Sequence, residues 1–257
     1  MSTDELRNLL EYYRDLGITS LYRDSVTPVQ SRESNQSRDR EGAAPAEPPI
    51  IELPKPKRVE LPSLTPENDT LLRILEDIGD CRRCRLHEGR NKIVFSDGNE
   101  KSPLVFVGEG PGADEDEQGI PFVGRAGQLL TQMIENTASK EGLPLKRSDI
   151  YICNVVKCRP PGNRTPEPDE MEVCGQFLFR QLMTIKPKAI CALGGTAAKA
   201  LLGTKDGVTK LRGNWHKWRD IPVMVTYHPS YLLRAYNQQA KREAWMDLKL
   251  VLHYVYD

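Results

Sequence analysis

Six cysteines punctuate the 257-residue chain, and four of them are spaced for chemistry. Cys81 and Cys84 form C-x₂-C, the shortest spacing at which two thiolates comfortably hold one metal centre. Cys158 and Cys174 form a second, wider pair with 15 residues between them. Two unrelated packing reasons would be needed for two such pairs, whereas one centre of four soft thiolates explains both. Ligand chemistry alone leaves tetrahedral zinc and an iron–sulfur cluster equally open. Cys153 and Cys191 lie inside apolar runs and read as small core hydrophobes.

Three further segments carry polar groups where a backbone turns sharply. Val107 leads into Gly108-Glu109-Gly110-Pro111-Gly112, then Ala113-Asp114-Glu115-Asp116-Glu117. Glycines so dense let the backbone bend tightly and bring N–H groups against a ligand. The phosphate-loop pattern that ends in Lys-Ser/Thr is absent, and a carboxylate within the loop would repel a phosphate. Glu109 is better suited to orienting or deprotonating a water, or to opposing a developing cation. The plainer alternative is a glycine turn beside a solvated acidic patch. Phe122 follows Pro121 between glycines, a better place for a stacking face than for a core residue. Asn154 ends the next apolar run and presents a donor and an acceptor side by side, the pattern that pairs with a pyrimidine edge. The loop behind it, Arg159 to Pro166, offers Arg159 and Arg164 on stiffened backbone. His228, held by Pro229, opens Ser230-Tyr231-Leu232-Leu233-Arg234 and is placed to donate to an anion; a core histidine is the alternative.

These residues need a scaffold, and the hydrophobic pattern supplies one. Short β-branched or Gly/Pro-bounded runs at Leu104–Val107, Ile150–Val156, Ala189–Leu193 and Val223–Tyr227 predict strands. Helical periodicity falls at Gly127–Ser139, Pro168–Ile185, Thr196–Leu202 and Gln238–Val255, with a further helix opened by Thr65-Pro66-Glu67 and running to Gly79. Strands alternating with helices predict an α/β fold, a three-layer αβα sandwich on a short central parallel sheet. Such sheets place their chemistry after the strand ends, here just past Val107, Val156, Leu193 and Tyr227.

Residues 65–257 form that domain. Residues 1–24 carry an amphipathic helix (Leu6, Leu9, Leu10, Tyr13, Leu16 on one face) suited to docking on an unknown protein partner or on its own domain. Residues 25–64 are Pro-rich and poor in apolar residues, and are expected to be a disordered linker. No run approaches the ~18 apolar residues of a membrane span, and no signal-peptide pattern opens the chain, so the expectation is a soluble protein of a reducing, cytoplasmic compartment. Six cysteines are too few for a disulfide scaffold at this length. The 36 basic and 36 acidic residues cancel, which excludes a nonspecific polycation. The balance is uneven along the chain: −2 over 1–64, −5 over 65–150 and +7 over 151–257. Trp215, Trp218, Tyr231 and Tyr236 lie in the basic part, the tryptophans reading as core.

Taken in order, Cys81-x₂-Cys84, GEGPG at 108–112, GIPFVGRAG at 119–127, NVVKCRPPGNRTP at 154–166, Cys174 and HPSYLLR at 228–234 resemble the family 4 uracil-DNA glycosylases. The resemblance runs from Cys81 to Arg234. It implies a 4Fe-4S cluster on Cys81, Cys84, Cys158 and Cys174, and uracil-containing DNA as substrate of a monomeric enzyme. It further implies that Phe122 stacks on a flipped uracil and Asn154 reads its edge. Amides around Gly110 to Gly112 and His228 would meet O2, and Glu109 would position the attacking water. Glu115 matches the position near uracil C5, where bulk would reject thymine. Arg159, Arg164, Ser230 and Arg234 would contact DNA, with Leu232 or Leu233 as a wedge between bases. The branch of the superfamily that traps DNA covalently carries an extra basic loop with a histidine, and no such insert lies between Asn154 and Cys174. The reading from a different class is a non-catalytic nucleic-acid binding module with a structural four-cysteine metal site.

Overall fold

The computed structural model describes residues 68–234 and 237–257. The predicted N-terminal helix, the Pro-rich linker, the Thr65-Pro66-Glu67 helix start and Tyr236 lie outside the described residues. A sheet of six strands is ordered β1-β3-β2-β4-β6-β5. Its strands are β1 (Asp97–Gly98), β2 (Leu104–Gly108), β3 (Tyr151–Asn154), β4 (Ala189–Leu193), β5 (Trp215–Trp218) and β6 (Ile221–Thr226). The four inner strands are parallel, as expected; β1 and β5 pair antiparallel at the two edges.

The inner strands are buried on both faces, which is why β2 and β4 read as unbroken apolar runs. Alternate side chains feed opposite layers. Val105 and Val107 pack with Tyr151, Cys153, Ile190, Ala192 and Val225 under α1 (Leu71–Ile78), α4 (Pro168–Ile185) and α5 (Gly194–Leu202). Leu104 and Phe106 pack with Ile152, Cys191 and Met224 under α3 (Arg125–Lys140) and α8 (Gln238–Tyr256). The three-layer αβα sandwich stands, and Cys153 and Cys191 are fully buried within it.

Several local expectations are corrected. The first helix begins at Leu71, where the Thr70 side chain accepts from the Arg73 N–H at 3.1 Å and satisfies an orphan donor of the first turn. The acidic stretch after the glycine loop is a helix, α2 (Ala113–Gln118), on which Asp114 and Glu117 are exposed. Its buried Asp116 accepts from the Asn91 and Lys92 amides. Trp218 is core, but Trp215 is exposed on the edge strand against Tyr254. Short helices α6 (Val208–Leu211) and α7 (Pro229–Leu232) complete the described fold. Among the described residues no helix is long and apolar enough to cross a membrane.

Register decides where the chemistry lies. Gly108 is paired with Asn154, and Leu193 with Thr226, so the carboxyl ends of the inner strands form one rim. The chain runs from β2 outward to β3, then returns to place β4 on the other side of β2. That reversal opens a crevice beyond the β2 and β4 ends.

Candidate active site and cysteine cavity

A pocket of about 400 Å³ occupies this crevice. Glu109, Gly110 and Gly112 line it from the loop after β2, Phe122 from the following loop, Asn154 from the end of β3, and His228 and Ser230 from the loop after β6. Arg164 and Glu115 also reach its wall. The sequence-predicted base-handling residues are thus brought together.

Asn154 is 1% exposed, and its Oδ1 has no hydrogen-bond partner. A methyl group added to Gly108 would lie 2.4 Å from that oxygen and 2.5 Å from Phe122 Cζ, so only glycine lets this floor close. Phe122 is held with φ +56°, a conformation rare outside glycine. Two neighbours maintain it. Gly127 has no side chain to strike the Phe122 carbonyl, which an added Cβ would meet at 1.9 Å, and Arg147 donates to the Pro121 carbonyl at 2.7 Å. Phe122 is therefore at once buried, against the expectation of a non-core aromatic, and a wall of the pocket. Its ring lies 5.6 Å from that of His228.

His228 caps α7: its Nδ1 accepts from the Ser230 N–H at 3.2 Å and contacts the Ser230 hydroxyl at 2.8 Å. A nitrogen that accepts carries no proton, so the proton of the neutral ring sits on Nε2. Burial pushes the His228 pKa down to about 4, which keeps the ring neutral at physiological pH.

Glu109 is half-buried, and Thr196 at the start of α5 donates its hydroxyl to the Glu109 carboxylate. The sequence had marked the turn after Leu193 as functional but gave Thr196 only a place at a helix start. Glu115 is committed elsewhere: one oxygen accepts from the Val123 and Gly124 amides at 3.0 and 2.9 Å, the other from Gly112 at 3.0 Å. It buckles the glycine loop to the start of α3, so its bulk rather than a free oxygen faces the pocket. The Gly112 amide is spent on this buckle, which leaves Gly110 as the glycine of that loop with an N–H to offer.

The candidate DNA contacts divide. Arg159 donates to the Asn163 side chain at 2.8 Å. Arg164 forms a two-pronged pair with buried Glu170 at 2.7 and 2.8 Å, and Arg85 donates to the same carboxylate. Hydrogen bonding from Arg164 is the main cause that holds the Glu170 pKa down at about 2. Leu232 is 1% exposed and packs in the core, whereas Leu233 is exposed. Of the two leucines, Leu233 is the one at the surface. Ser230 and Arg234 are exposed on the same loop, with Arg234 over the Tyr231 ring.

A separate cavity is lined by Cys81, Cys84, Cys158 (past the β3 end) and Cys174, with Ile78, Phe177 and Arg90 around them. Among the described residues, no three His, Cys, Asp or Glu side chains converge tightly enough for one metal ion. The four cysteines line one space, a set of soft sulfur donors. Two N–H groups already point at sulfur: Lys157 N–H to Cys174 Sγ at 3.2 Å and Arg90 Nη1 to Cys158 Sγ at 3.6 Å. Burial pushes the Cys158 thiol up and the Cys174 thiol to about 12. Thiolates there need compensating cations. Neither Arg90 nor Lys157 was named as a candidate, since single basic residues carry no spacing signal.

The three-layer fold with a rim pocket of Asn, Phe, His and Glu defines a class. The sequence signature described as "Uracil DNA glycosylase superfamily" matches residues 95–249, and the chain belongs to that superfamily. It is 46% identical to the Type-4 uracil-DNA glycosylase of Thermotoga maritima over 68% of this chain and 90% of that protein. It is 41% identical to the Type-4 uracil-DNA glycosylase of Archaeoglobus fulgidus over 69% of this chain and 89% of that protein. A Type-5 uracil-DNA glycosylase of Pyrobaculum aerophilum is 35% identical over 32% of this chain and 37% of that protein.

Proposed function

We propose that this protein takes a uracil nucleotide out of the DNA stack and hydrolyses the bond between base and sugar, releasing uracil and leaving an abasic site. The observation that carries this reading is the unpartnered, buried Oδ1 of Asn154 on the pocket floor. A buried acceptor left bare costs about 1–3 kcal/mol, and the N3–H of uracil would satisfy it while the Asn154 amide donates to O4. Cytosine presents the reverse pattern at those two atoms and would leave both ends of the amide unmatched. Phe122 offers its face to the flipped ring, and the bulk of Glu115 stands in the wall against a thymine methyl.

As the bond breaks, negative charge grows on uracil and positive charge on the sugar. The Nε2–H of His228 and the Gly110 amide are the donors for O2. Glu109, steadied by Thr196, is the carboxylate that orients the water and opposes the oxocarbenium-like charge. Leu233 would fill the space left in the stack.

The cysteine cavity fits a 4Fe-4S cluster held by Cys81, Cys84, Cys158 and Cys174. When bound, it would tie the loops that carry Cys81, Cys84 and Cys158 to helix α4 through Cys174, and the hydrolysis itself consumes no electrons. The reducing cytoplasm is the compartment in which such thiolates persist. The test is direct: purified brown protein should release uracil from single-stranded and U:G duplex DNA without added metal. A protein with its cluster intact that releases none would refute the reading, and a colourless zinc protein would refute the cluster.

A further inference from the structure

Three carboxylates, Glu109, Asp114 and Glu115, line a pocket that is to receive a polyanion. Of the cations that the sequence offered for DNA, Arg164 is paired with Glu170, Arg159 donates to the Asn163 side chain, and Arg234 is not among the residues that line the pocket. Of the two arginines that line the pocket, the second is Arg125, the first residue of α3. It is exposed, and among the described residues its guanidinium has no ion pair, hydrogen bond or ring contact. Nothing in the packing requires an arginine there.

We propose that Arg125 is a phosphate-binding residue, clamping a phosphate beside the flipped nucleotide. The inference rests on the glycosylase reading and gives the pocket what it otherwise lacks, a free cation at its wall. A guanidinium matches two phosphate oxygens at once and stays charged at any working pH. An unpaired one also loses no protein partner when DNA arrives. Arg125 would hold the backbone while Asn154 reads the base, so it acts on binding and positioning rather than on bond cleavage.

The experiment uses the full-length holoprotein and a single-stranded oligonucleotide bearing 2′-fluoro-deoxyuridine, which resists cleavage. Binding is measured across a salt series for the wild type, Arg125→Ala, Arg125→Lys and, as a control for net charge, Arg219→Ala. Loss of one phosphate contact should lower the slope of log affinity against log salt by about 0.7 in Arg125→Ala. Its KM for uracil DNA should rise about tenfold with kcat within about threefold, Lys should recover part of the slope, and Arg219→Ala should match the wild type. An unchanged slope in Arg125→Ala, or a fall in kcat at unchanged KM, overturns the proposal. Wild-type protein that binds this DNA with the Arg125-dependent slope yet releases no uracil from the same oligonucleotide carrying ordinary deoxyuridine would sink the glycosylase reading and leave the phosphate contact standing.

Discussion

At the scale of single residues, the site works through atoms left incomplete. Asn154 Oδ1 lacks a donor, and His228 keeps a proton on Nε2 because Nδ1 is engaged by Ser230. Replacing either residue by alanine should lower kcat/KM by about 10²-fold or more with the melting temperature little changed, as expected for donors that act on developing charge. The pH dependence has a definite sign. With a His228 pKa of about 4 in the fold, the ratio of wild-type to His228→Ala activity should stay flat from about pH 8 to 5. A break near the ordinary histidine value of 6.5 would disprove a neutral donor. For stability, the unfolded chain binds a proton below 6.5 that the native ring refuses until about 4, so stability falls as pH drops through that window. Residue types at strand ends were legible in the sequence because Asn, His and Glu beside glycine have few structural uses there. Arg125 and Thr196 were not, since an isolated Arg or Thr is ordinary on any helix and becomes informative only once its partners, or their absence, are known.

At the scale of elements, loops are fixed by carboxylates rather than by regular structure. Glu170 gathers Arg164, Arg85 and the Glu167 N–H at the start of α4. Its depressed pKa means that this stabilisation is full above the ordinary carboxylate value of 4.5 and is lost as pH falls toward about 2. Glu170→Gln should flatten the acid side of the stability profile and cost about 1–2 kcal/mol in denaturant melts at neutral pH, less than a fully buried pair because Arg85 is largely exposed. Strand and helix positions were legible because their periods are strong over whole segments. Edge strands β1 and β5 were not: two residues carry no period, and the Trp215–Trp218 pairing is set by its neighbour β6. The six-residue α2 hid within a run of acids because its core contribution comes from the polar Asp116.

At the scale of the whole molecule, two centres share one short run of chain. Asn154 closes β3 at the pocket, and Cys158 stands at the cysteine cavity. Between them, buried Lys157 donates its ammonium to the Asn154 carbonyl at 2.7 Å and its amide to Cys174 sulfur at 3.2 Å. Stripping the iron by oxidation and chelation should therefore lower the melting temperature and abolish uracil release together; full activity in protein shown to be iron-free would contradict this coupling. The fourfold thiolate set was legible in the sequence, but its tie to the base reader was not, because Lys157 looks in sequence like any surface lysine. That tie also fixes how the protein fails. Under the proposed function, loss of a cluster from the cysteine cavity would first slacken Asn154, the residue proposed to tell uracil from cytosine. Without that grip no base would be held for cleavage, so the damage would fall on the side of uracil left in place rather than of sound cytosine removed.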